Sequence, residues 1–270
     1  AGAQYNLGVS YKNGDGVEKD LEEAIRWFRL AADQGHAYAQ NSLGWRYKNG
    51  ECVEKDLEEA IRWFRLAADQ GHAGAQYSLG VDCAIGEGVE KDLEEAVRWF
   101  RLAADQGHAG AQYNLGVCYE NGDGVEKDLE EAVRWFRLAA DQGHAGAQYN
   151  LGVSYKNGDG VEKDLEEAIR WFRLAADQGH ADAQNSLGVD CAIGEGVEKD
   201  LEEAVRWFRL AADQGHAGAQ YNLGVSYKNG DGVEKDLEEA VRGMSELIFS
   251  KLIADNPTEV IGVFFSKCEC

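Results

Sequence analysis

The string EKDLEEA, followed by Ile or Val and then RWFRLAADQGHA, occurs six times at a spacing of 36 residues, and a seventh copy stops after Val241-Arg242. A period of that length marks a solenoid, in which each unit packs only on its neighbours, so the 270 residues measure repeat number and not the size of one central core. The units run 1–36, 37–72, 73–108, 109–144, 145–180, 181–216 and, truncated, 217–242, with 243–270 outside the repeat.

One unit shows how the chain folds. Ala3, Leu7, Gly8 and Tyr11 share one face of a short helix A that ends near Asn13-Gly14. Gly14-Asp15-Gly16 reads as a turn, and Asp20 followed by Glu23 is a capping-box pattern that starts helix B. Leu21, Ala24, Ile25, Phe28 and Ala32 form an apolar stripe, which Trp27, Leu30 and Ala31 widen to a second flank. Glu22, Glu23, Arg26, Arg29 and Asp33 stay outside, Glu22 and Arg26 being spaced for an i,i+4 pair. Gly35 is placed to end helix B in the left-handed conformation. Two short helices cannot cover both stripes alone, so the hairpins must stack into an all-α solenoid of antiparallel helix pairs.

The recurring frame in the first unit is Ala1, Ala3, Gln4, Leu7, Gly8, Tyr11, Gly14, Gly16, Val17, Asp20, Ala24, Trp27, Ala31, Ala32 and Gly35. It resembles the Sel1-like repeat, a cousin of the tetratricopeptide repeat with a longer loop between its helices. The resemblance covers residues 1–242. It implies a right-handed α/α superhelix with the A helices on the concave side, and an adaptor or scaffold role in assembling other proteins. The chain departs from the frame where Cys83 and Cys191 replace the tyrosine, which leaves space between helices, and where Cys52 replaces the second turn glycine, which puts that turn in doubt.

Helix B scarcely varies between units, whereas helix A and its turn carry nearly all the changes. By the tetratricopeptide analogy, the groove is lined from the phases of Gly2, Tyr5, Val9, Lys12 and Asn13, which become Tyr38 and Asp182, Asn41 and Asn185, Trp45, Ala84, Glu120 and Ala192, and Ile85 and Ile193. The surface is therefore expected to hold an extended or helical peptide by stacking and apolar contact with Tyr5, Tyr38, Trp45, Arg46, Tyr77, Tyr113, Tyr149 and Tyr221. Asn41 belongs to the same lining, and Lys12, Asp82, Glu120 and Asp190 are expected to set the charge preference. Units three and six share the variant VDCAIGEG, which duplication without selection explains equally well.

The formal charge of −22 builds up unit by unit. It excludes the basic footprint that nucleic acid or an anionic membrane requires, and it favours a cationic or polar partner. No apolar run reaches the roughly 20 residues of a membrane span. The chain begins at Ala1 inside a unit, with neither initiator Met nor signal peptide, and is expected to be part of a longer protein. Cys52, Cys83, Cys118, Cys191, Cys268 and Cys270 form no pair within a unit, the pattern of free thiols in a reducing compartment such as the cytoplasm.

No catalytic constellation stands out, and neither enzyme activity nor a cofactor is expected. The histidines, one per unit from His36 to His216, fall at equivalent positions about 8–10 Å apart, too far for one metal ion, and read as polar residues preceding helix A. The turn from Asn13 to Asp20 lacks the central glycine and ligand pattern of a calcium loop. Cysteine-rich members of the resembled family have been linked to penicillin binding and β-lactam hydrolysis, but this chain has neither their paired cysteines nor an S-x-x-K motif.

Beyond the repeats, Leu237, Ala240, Val241, Met244, Leu247, Ile248 and Leu252 keep helical spacing, so a capping helix is expected to run to about Ala254. Asn256-Pro257 breaks it, and Val260–Phe265 is apolar and β-prone. That stretch is expected to fold back on the seventh unit, the alternatives being self-association through another chain or an unstructured end. Alternatives to the scaffold are a self-assembling structural spacer and the targeting arm of an enzyme encoded outside this segment.

Overall fold

The computed structural model describes residues 1–242. The chain falls into two compact units, the first Ala1–Gln142 and the second beginning at Gly143. The first holds eight helices: α1 (Gly2–Asn13), α2 (Leu21–Ala32), α3 (Ala37–Asn49), α4 (Leu57–Ala68), α5 (Ala73–Ile85), α6 (Leu93–Asp105), α7 (Ala109–Asn121) and α8 (Leu129–Asp141). The second holds α9 (Ala145–Asn157), α10 (Leu165–Asp177), α11 (Ala181–Ile193), α12 (Leu201–Asp213) and α13 (Ala217–Asn229), and residues 237–242 are also helical. Odd-numbered helices are the A helices of the sequence and even-numbered ones the B helices. The expected capping helix beyond 242 and the tail 243–270 lie outside the described residues.

The helix boundaries follow the caps. Asp20 is extended and accepts from the N–H groups of Glu22 and Glu23 through Oδ1. The reciprocal half of the capping box is replaced: the Asp20 N–H donates to the Tyr11 carbonyl at 2.9 Å, which ties the loop back onto helix A. Gly14 closes α1 at φ 85°. Glu23 is thereby released and pairs with Arg26, so the ion pair runs i,i+3 and not from Glu22 as the spacing suggested. Arg62–Glu59 at 2.8 Å and Arg170–Glu167 at 3.0 Å repeat it, and each arginine also lies over the adjacent indole, Arg62 4.7 Å from the Trp63 ring.

Packing within a hairpin turns on one close approach. A Cβ at Gly44 would sit 2.5 Å from Phe64 Cδ1, and Gly80 and Gly116 meet Phe100 and Phe136 in the same way. Glycine in the Leu-Gly pair lets the B-helix ring lie flat on helix A, where Phe64 and Phe136 lose all contact with solvent. Burying such a ring contributes about 2–3 kcal/mol. Between hairpins, Trp63 packs into a core with Ala24, Ile25, Phe28, Ala39 and Leu43, and Trp135 packs with Val97, Phe100 and Leu115. The leucine at the phase of Leu30 does not join that flank. Leu30, Leu66, Leu102, Leu138, Leu174 and Leu210 are 40–48% exposed, because the tryptophan three residues earlier already fills the contact with the neighbouring B helix.

Within each compact unit, amide side chains link a hairpin to the one before it. Gln70 Nε2 donates to Gln40 Oε1 at 2.6 Å, and Gln40 donates in turn to the Ala32 carbonyl at 3.1 Å. Gln106–Gln76 and Gln142–Gln112 repeat the link in the first unit, Gln178–Gln148 and Gln214–Gln184 in the second. These amides satisfy carbonyls at the ends of the B helices, which would otherwise be buried without partners.

Candidate functional site

The A helices present the residues expected to bind a partner, and the structure sorts them into three groups. The first is structural. Tyr5 stacks on His36 at 4.8 Å, Tyr77 on His108 at 4.6 Å and Tyr149 on His180 at 5.0 Å, each half-buried between successive hairpins. Tyr113 tilts against Phe136 at 6.1 Å. The histidines are N-caps: His72 Nδ1 accepts from the Ala75 N–H at 3.1 Å and His108 Nδ1 from that of Ala111 at 3.2 Å. Burial lowers the pKa of His72, His108, His144 and His180. Among the described residues no cluster of three or more His, Cys, Asp or Glu could hold a metal ion.

Asp82 and Asp190 form the second group, and here the expectation of a surface charge selector is overturned. Both are 1% exposed. Asp82 Oδ1 is bound by the Lys48 ammonium of the preceding hairpin, which also meets Glu87 at 3.1 Å. Lys156 serves Asp190 and, at 3.3 Å, Glu195 in the same way. Removal from water, only partly offset by the lysine, raises the pKa of each aspartate. Either aspartate replaces the serine of the phase of Ser10, where the side chain turns into the junction and not outwards. The sequence held a signal that went unread: in both cases the unit before the aspartate carries Lys at the phase of Lys12.

The third group is free surface. Tyr38 is 60% and Trp45 41% exposed, both on α3. Tyr38 meets His72 edge-on at 4.5 Å, and Trp45 stands edge-on to Phe64 at 6.0 Å, which fixes its orientation without covering it. Arg46 is paired with Glu51. Lys12 is exposed, and Asn41 keeps a buried Oδ1 without a hydrogen-bond partner. Tyr5, Lys12, Asn41, Trp45 and Arg46 meet in one cleft of 430 Å³ between α1 and α3, its wall completed by Val9, Phe28, Ser42, Asn49 and Glu51. A second cleft of 330 Å³, between α5 and α7, is apolar, walled by Val81, Ala84, Ile85, Leu93, Phe100 and Val117 among others. Glu120 is half-buried on α7 and Tyr221 half-exposed on α13, in neither of these clefts.

The buried cysteines carry no reactive thiolate. Cys83, Cys118 and Cys191 are free and buried, their thiols pushed up to about 11 by burial. Cys52 is free and exposed; it keeps the positive φ of the glycine it replaces, at 55°. Cys268 and Cys270 lie outside the described residues. No helix among the described residues is long and apolar enough to cross a membrane.

The Sel1 repeat model matches residues 1–36, 37–72, 73–108, 109–144, 145–180, 181–216 and 217–242. Among solved structures, the chain is similar to c5321, a protective antigen of uropathogenic Escherichia coli strains with an SLR fold, at 37% identity and a TM-score of 0.84 over 92% of this chain. It spans about half of that protein, 53% of its length. A Sel1 repeat protein from Oxalobacter formigenes is 33% identical with a TM-score of 0.81, over 90% of this chain and 96% of that one. No curated protein gives a match. Sel1 repeats generally serve as non-catalytic scaffolds for protein–protein interaction. With seven matched units and two solved relatives sharing its all-helical solenoid, the chain belongs to the Sel1 repeat family.

Proposed function

We propose that this protein is a non-enzymatic interaction scaffold that holds a peptide or protein partner on its helix-A surface, with the cleft between α1 and α3 as the anchoring site. One observation carries the reading: Trp45 and Tyr38 are exposed aromatic side chains on a single helix, at phases where other units carry Val and mostly Gly. An indole held in place by Phe64 yet open on a 430 Å³ cleft has the character of an interface hot spot. The tyrosines of Tyr5 type are reassigned to holding the hairpins together, and the aspartates to the junctions, so the binding surface is smaller than the sequence suggested.

Crosslinking capture from the source lysate, with the intact chain beside Trp45→Ala/Arg46→Ala, tests the reading. Partners should be retained by the intact chain and lost by the variant. With a captured partner in hand, Trp45→Ala alone should weaken binding by about 2 kcal/mol. A change below about 0.5 kcal/mol would remove Trp45 as the anchor.

A further inference from the structure

We infer that the α1/α3 cleft takes an acidic peptide segment, with a carboxylate side chain beside Lys12 and an aromatic or aliphatic side chain against Trp45. The inference rests on the proposed binding role of that surface and adds the sign of the partner's charge, opposite to what the net charge of −22 suggests.

The charge of the whole chain and the charge of the cleft are different quantities. Much of the negative excess sits on the B helices and loops, exemplified in the repeat 37–72 by the exposed Glu54, Glu58 and Asp69. At physiological salt a charge more than about 8 Å away is largely screened, so the groups lining the cleft decide contact energetics. They are Lys12, Arg46 and a single carboxylate, Glu51. Arg46, its side chain 12% exposed, and Glu51 neutralise each other. Lys12 is exposed and, among the described residues, makes no ion pair, so the cleft keeps one uncommitted cation. On the far side of Trp45, Lys48 lies 5.8 Å from the indole centroid, but it belongs to a balanced set with Asp82, Glu87 and Lys55 and adds no net charge.

The α5/α7 cleft differs, because its one lysine, Lys91, is accompanied there by the carboxylate of Asp123. Between α5 and α7 the phases of Lys12 and Asn13 hold Ala84 and Ile85. The α1/α3 cleft therefore combines two demands: an anion for Lys12 and an apolar group for the exposed indole. An extended acidic segment with a central aromatic residue meets both.

Calorimetric titration of the full chain decides it, using three blocked pentapeptides at up to millimolar concentration: Asp-Glu-Phe-Glu-Asp, its amide counterpart Asn-Gln-Phe-Gln-Asn, and the basic Lys-Arg-Phe-Arg-Lys. The acidic peptide should bind about tenfold more tightly than the amide one, and the basic one more weakly still. Lys12→Glu should abolish the preference for the acidic over the amide peptide; Lys12→Gln, which adds no new charge, should give an intermediate loss of that preference. Equal or tighter binding of the amide or basic peptide, lost in Trp45→Ala, would overturn the charge assignment and leave the groove reading standing. Failure of all three peptides to bind would overturn both.

Discussion

At the scale of single residues, one position departs from what its backbone demands. The second turn glycine has positive φ in the other units, 67° at Gly160 and 74° at Gly88 for example, and Cys52 adopts 55° in its place. A side chain in that region costs about 1–2 kcal/mol, of which the lower unfolded-state entropy of cysteine returns a part. Cys52→Gly is therefore expected to raise stability by about 0.5–1 kcal/mol in urea unfolding. The reverse change at Gly124 should be far worse, about 3 kcal/mol, because a Cβ there would lie 2.1 Å from the Leu93 carbonyl oxygen. The sequence pointed to strain at Cys52. It did not reveal that the turn keeps its shape regardless, since the loop is held from both sides by the Gly50 cap and by the Asp56 N–H bond to the Tyr47 carbonyl at 3.0 Å.

At the scale of helices, packing and propensity pull apart at neighbouring glycines of α7. Gly116→Ala should destabilise by about 1–2 kcal/mol, the gain in helix propensity being outweighed by the 2.6 Å approach of the new Cβ to Phe136. Gly110→Ala meets Tyr77 only at 3.4 Å and should be neutral or stabilising by up to about 1 kcal/mol. Comparing the two by thermal and urea unfolding separates the contact from the propensity. The same scale governs the junction of α3 with α5. Lys48→Met would leave Asp82, 1% exposed, without its counter-charge, and should cost about 3 kcal/mol.

At the scale of the whole molecule, stability is a sum over hairpins and junctions, so a group repeated in every unit acts many times over. The histidine caps are such a group. A folded-state pKa below the unfolded value means that their contribution is present above about pH 6.5 and is lost as pH falls below it, since a protonated Nδ1 can no longer accept the helix N–H. Asp82 and Asp190, with raised values, act in the opposite sense, but they are two groups against four histidines. The urea midpoint is therefore expected to drop between pH 7.5 and 5.5, and His108→Asn, a cap that does not titrate, should make the drop smaller. An unchanged pH dependence in His108→Asn would show that the caps do not cause it.

The sequence by itself determined the period, the two helices of each unit and the aspartates and glycines that cap them. Those features depend on residues within four positions of one another or on a spacing that recurs in phase. It also marked α3 as the place where the units differ most in exposed aromatic residues. Tertiary structure decided which side chains remain free to meet a partner. Contacts at separations of 18 and 34 residues, such as Arg29 to Tyr47 and Lys48 to Asp82, bring together groups whose meeting depends on how one hairpin leans on the next. That lean buries Asp82 and Asp190, leaves the Leu30 row in solvent, engages Tyr5 with His36 and leaves Lys12, in the same cleft as Trp45, without an ion pair among the described residues. Charge and aromatic content can be counted along a chain, but whether a group is spent on the fold or left for a ligand depends on the surface it meets.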